Sequence, residues 1–159
     1  MLVLSADPAT KSDDTTPRKR NPLAPSLPLL TSKEEDELDT IIDRFIQADT
    51  GKMTGPEAKK AMDEFKELGP EATFALIRGM NKAAKINHSC PALTIGRKLG
   101  AIVRNSNDRD LLLYAKENIG LGVKSSQHMD TIKDLKSGCT ARLSAIKNAP
   151  ITEIKGLKP

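Results

Sequence analysis

Leu68-Gly69-Pro70-Glu71-Ala72-Thr73-Phe74-Ala75-Leu76-Ile77 and, further on, Gly96-Arg97-Lys98-Leu99-Gly100-Ala101-Ile102 carry the same Leu-Gly pair thirty-one residues apart, with helix-forming sequence after each. A helical hairpin occupies about that many residues, so recurrence at this offset points to stacked hairpins. Gly69-Pro70 breaks the chain, because proline lacks the amide a helix interior needs. The run 71–85 then reads as a helix with Ala72, Phe74, Ala75, Leu76, Ile77 and Met80 as its apolar positions.

Outward from that centre the helix signals continue. Thr31-Ser32-Lys33-Glu34 is a capping box, and Leu38, Ile41, Ile42, Phe45 and Ile46 follow it at helical spacing up to a stop at Gly51. Thr54-Gly55-Pro56-Glu57 reads as a second box, with proline in the first turn and Ala58, Ala61, Met62, Phe65 and Leu68 on one side. Pro91 opens a fourth helix reaching about Arg104, with Leu93, Ile95, Leu99, Ile102 and Val103 expected in the core. Asn105-Ser106-Asn107-Asp108 turns and caps a fifth helix carrying Leu111, Leu112, Leu113, Tyr114 and Ala115, which Asn118-Ile119-Gly120 ends. A last helix is expected over 126–147, where Met129, Ile132, Leu135, Cys139, Leu143 and Ile146 form a stripe that Gly138 could bend. That stripe suits either a terminal cap on the hairpins or a partner helix.

The two Leu-Gly segments resemble the HEAT-like repeats widespread in bacterial proteins. In those repeats a hairpin begins after Leu-Gly, with an alanine and then Leu-Ile on its first helix and arginine, small residues and a closing Leu-Gly on its second. The resemblance is clearest over residues 68–100; from Leu99 to Gly122 an Asn-Asp-rich insertion replaces the arginine-bearing pattern. It implies a scaffold whose exposed helical face binds another macromolecule, and no catalytic residue.

Composition agrees with an all-α domain. Phe45, Phe65, Phe74 and Tyr114 are the only aromatic residues, and the period-two apolar runs of strands are missing. The expected organisation is a Pro-rich disordered tail over 1–30, a domain of about six helices over 31–148 in a short HEAT-like superhelical stack, and a loose tail over 149–159. The leading segment holds five of the ten prolines and cannot bury enough apolar surface to offset its ordering. Its Leu23, Leu27, Leu29 and Leu30 could still dock as a short extended segment. No secretory leader or membrane-length apolar stretch is recognisable, so a cytoplasmic location is expected.

Chemistry-bearing constellations are sparse. His88, Cys90, His128 and Cys139 are the soft metal ligands, but His128 and Cys139 lie eleven residues apart on one expected helix, roughly 16 Å by helical rise. They do not reach one ion, and two cysteines are too few for a disulfide framework. Neither cysteine has a recognisable nucleophile context, Glu34 to Glu37 spread round a helix start, and Gly120-Leu121-Gly122 is no phosphate loop. No catalytic residue, cofactor or metal is therefore expected.

Charge is the remaining signal. Residues 31–70 hold six Lys/Arg against eleven Asp/Glu, whereas residues 71–123 hold eight against four. Arg97, Lys98, Arg104, Lys133, Lys136 and Lys147 are the candidate basic surface. The expected function is a non-catalytic scaffold or adaptor that binds a protein partner through its helical surface, with the charge asymmetry setting orientation. The alternative is sequence-nonspecific association with nucleic acid through the later helices, against which the scarcity of stacking aromatics weighs. An enzyme would need a cleft of convergent polar groups.

Overall fold

The Glu34 amide donates to the Thr31 hydroxyl at 3.2 Å while the Thr31 amide donates to the Glu34 carboxylate at 2.8 Å, so the first capping box forms as written. The computed structural model describes residues 17–87, 90–124, 126–152 and 154. Among them, strands β1 (Arg20–Asn21) and β2 (Ala24–Pro28) pair antiparallel. Six helices follow: α1 (Ser32–Asp49), α2 (Gly55–Lys66), α3 (Thr73–Ala84), α4 (Pro91–Asn105), α5 (Arg109–Asn118) and α6 (Met129–Ala145). The fold is mostly α.

Successive helices pair as α1/α2, α3/α4 and α5/α6, and the pairs are joined through α1/α3 and α4/α6. Helix α3 is central: Leu76 and Met80 are fully buried, and Gly79 receives Ile42 of α1. Phe45 stacks on Phe65 to hold α1 on α2, with ring centroids 3.8 Å apart, and Phe74 meets Tyr114 edge-on to hold α3 on α5. Each fully buried Leu, Ile or Met contributes about 1.5–3 kcal/mol, so Leu76, Met80, Ile95, Leu99, Leu111 and Leu112 carry much of the stability. An ion-pair ladder fixes register outside this core. Glu35 and Asp39 of α1 meet Arg78 of α3 at 2.6 and 3.0 Å, and Asp43 meets Lys82 one turn on at 2.7 Å.

Residues 17–30 depart from the tail expected over 1–30; positions 1–16 lie outside the described residues. The β1–β2 segment is an ordered strap with Ala24 and Leu27 buried, while Leu23 and Leu29 remain exposed. Its anchor is polar. The amide and hydroxyl of Ser26 both donate to one oxygen of the fully buried Asp108 carboxylate, whose other oxygen caps α5 through the Leu111 amide. At the other end, Thr152 accepts from Asn107 at 2.8 Å and Ile154 is buried, so this part of the segment 149–159 returns to the fold.

Other boundaries shift for local reasons. Thr54 makes no side-chain cap: the positive φ of Gly55 (70°), directly after it, breaks the geometry such a cap needs. Helix α6 begins at Met129, not 126, because the Ser126 hydroxyl donates to the Ala84 carbonyl at the end of α3 and accepts the His128 amide. Leu93, expected in the core, is 40% exposed, and Leu113 is 37% exposed. The apolar stripe of α6 is covered by α4 and α5 of the same chain, leaving Met129 outside. No helix among the described residues is long and apolar enough to cross a membrane.

Candidate functional site

Small residues let α4 and α6 lie close together. A Cβ on Gly96 would stand 3.1 Å from Thr131 Cγ2, one on Gly100 would stand 3.2 Å from Arg104 Nη1 and 3.6 Å from Leu135 Cδ2, and one on Gly138 would stand 4.0 Å from Val103 Cγ1. Residue numbers rise together along the two helices, so they run parallel. Their seam opens outward as a groove of about 360 Å³. Gly96, Gly100 and Gly138 form its floor, and Leu93, Val103 and Leu135 its apolar walls. The rim is polar: Arg97 and Arg104 on the α4 side, Thr131 and Asp134 on the α6 side.

The six candidate basic residues separate into different environments. Arg97 and Arg104 border the groove, exposed and without an ion pair among the described residues. By contrast Arg18, Arg44 and Arg78 pair with carboxylates, and Arg142 donates to the Ser106 carbonyl and the Asn107 side chain. Lys98 turns the other way. Its ammonium donates to the carbonyls of Lys66 and Leu68 at 3.1 and 2.8 Å and lies 5.3 Å from the centre of the Phe65 ring, so it closes the C-terminal end of α2. Burial pushes its pKa down, against the opposing pull of Glu71 and Glu67. Lys133 and Lys136 border a second, shallower depression along the outer face of α6, and Lys147 is exposed beyond the end of that helix.

The soft ligands do not assemble. Cys90 is exposed just before α4, Cys139 is buried within α6, and both are free thiols; His128 is buried at the start of α6, and His88 lies outside the described residues. Among the described residues no three His, Cys, Asp or Glu side chains group to hold a metal ion. Burial pushes the Cys139 thiol up to about 11, which makes it a poor nucleophile.

Sequence reasoning found Arg97 and Arg104 but missed the groove they border. It placed Leu93 in the core and took Gly138 for a bend, although Gly96, Gly100 and Gly138 together were the available signal of two helices in close approach. The chain matches no family model, no curated protein and no solved structure.

Proposed function

We propose that the protein is a non-catalytic helical adaptor, its three hairpins a HEAT-like stack, that docks a protein partner in the α4/α6 groove. The observation that carries this reading is the groove itself: a glycine floor between two helices, apolar walls, and arginines on the rim that no carboxylate among the described residues engages. The absence of chemistry is supported by how the buried polar groups are used. Asp108 caps α5 and anchors Ser26, the Ser106 hydroxyl accepts the Asp108 amide, and Thr73 donates to the Pro70 carbonyl.

Affinity capture on the full chain, with and without nuclease, tests the reading when repeated with Gly138→Leu, which fills the groove. A discrete protein that survives nuclease and is lost with Gly138→Leu supports docking there. Retention of nucleic acid alone favours the second reading, for which the exposed Lys133 and half-buried Lys136 on the outer face of α6 are the specific observation. Binding of that kind falls steeply with salt, because condensed counterions are released.

A further inference from the structure

We infer that the α4/α6 groove takes a short, extended, acidic segment of a protein partner, with two carboxylates three residues apart and a small apolar side chain between them. This rests on the adaptor reading and specifies its ligand. Arg97 and Arg104 are seven residues apart on α4, two turns, so they lie on one face about 10 Å apart along the axis. An extended chain in the polyproline II conformation advances about 3.1 Å per residue with three residues per turn, so side chains three apart share one face about 9 Å apart.

The rim supplies the chemistry. A guanidinium holds a carboxylate through paired N–H donors, and these two arginines have no internal partner among the described residues. Asp134 on the opposite rim repels a carboxylate, so the acidic side chains must face α4, which fixes the orientation of the segment. The same residue disfavours a polyphosphate strand, whose charge is not confined to one side. No aromatic side chain lines the groove for a base to stack on. The floor at Gly138 leaves room for a small side chain, and Val103 and Leu135 give it apolar contact.

The test is a random-peptide display library panned on the full chain, with selected peptides then titrated by fluorescence anisotropy. The expected outcome is enrichment of Asp or Glu at a spacing of three around a small apolar residue. Binding should weaken by about tenfold or more in Arg97→Glu/Arg104→Glu, and likewise in Gly138→Leu. Both variants alter the groove and its exposed rim, and circular dichroism checks that they fold. Selected peptides lacking the acidic pair, no enrichment at all, or binding indifferent to both variants would overturn the inference. So would oligo(dT) competing for the same site. If capture still yields a nuclease-resistant partner while the groove variants change nothing, this inference fails and a general adaptor role stands; if capture yields no protein, the adaptor role fails as well.

Discussion

Gly79 of α3 and Gly138 of α6 lie inside helices, so alanine at either brings the same intrinsic gain of about 1 kcal/mol. What the new methyl group meets differs. At position 138 its one neighbour among the described residues is Val103 Cγ1 at 4.0 Å, an ordinary contact, and the full gain is kept. At position 79 it would run into Ile42 Cγ2 of α1 and lie 3.7 Å from Ile95 Cδ1 of α4, with Ile42 only 1% and Ile95 0% exposed. Overpacking of a closed core costs about 1–3 kcal/mol, so the net change for Gly79→Ala is a loss of up to about 2 kcal/mol. Urea unfolding followed by helical circular dichroism reads both. A change of 1 kcal/mol moves the midpoint by about 0.3–1 M, upward for Gly138→Ala and downward for Gly79→Ala, with the slope unchanged. Equal rises would refute the closeness of α1 to α3 at Ile42; a fall for Gly138→Ala would refute the open floor of the groove.

Further outcomes are expected at sites away from the glycines. Asp108→Ala removes the cap of α5 and the anchor of Ser26 together, so it should destabilise by about 2–4 kcal/mol and expose the strap to limited proteolysis, whereas Ser26→Ala should cost about 1–2 kcal/mol. Lys98→Ala leaves the carbonyls of Lys66, the last residue of α2, and Leu68, just beyond it, without their donor and should lower the urea midpoint by the equivalent of about 1–2 kcal/mol. Ellman's reagent should label exposed Cys90 rapidly in native protein and buried Cys139 only in urea. The pH dependence has a definite sign at both ends. Cys139 ionises more readily unfolded than folded, so its contribution holds below about pH 8.5 and is lost as pH climbs towards 11. Glu34, held below the ordinary glutamate range by the Thr31 amide and then by Arg18, contributes above that range and loses its contribution as acid protonates it. Glu34→Gln should flatten the acid slope of the unfolding midpoint.

Helix number and most helix ends were legible because caps, glycine stops and apolar period are local. The Thr31 box, the Asp108 cap and the Gly120 stop (φ 83°) all depend on residues within three or four positions. What stayed hidden depends on distant partners. The Pro-rich strap looked unable to hold itself in place, and alone it would be; it is held by a buried carboxylate eighty-two residues away. Lys98 sits in sequence among surface cations, yet its partners are carbonyls thirty and thirty-two residues earlier. The groove was hidden for the same reason. Gly96 and Gly100 mark one helix as closely approached, but only the packing of α6 shows what approaches it.

The charge asymmetry also changes meaning once partners are known. The acidic excess of the first hairpin suggested an outward negative face. Much of it is answered within the chain: Glu34 by Arg18, Glu35 and Asp39 by Arg78, Asp43 by Lys82, and Glu64 by Arg44. Pairs this exposed contribute little to stability, about 0–1 kcal/mol each, but they cancel one another's field at a distance. The later helices have no such cancellation: Arg97, Arg104, Lys133, Lys136 and Lys147 meet no carboxylate within ion-pair distance among the described residues. The field a partner meets first is therefore positive and centred on α4 and α6. Both faces there join that charge to apolar side chains, but the one between the helices sets a carboxylate, Asp134, opposite its two arginines, and that one-sided charge favours an acidic peptide over a bare polyanion.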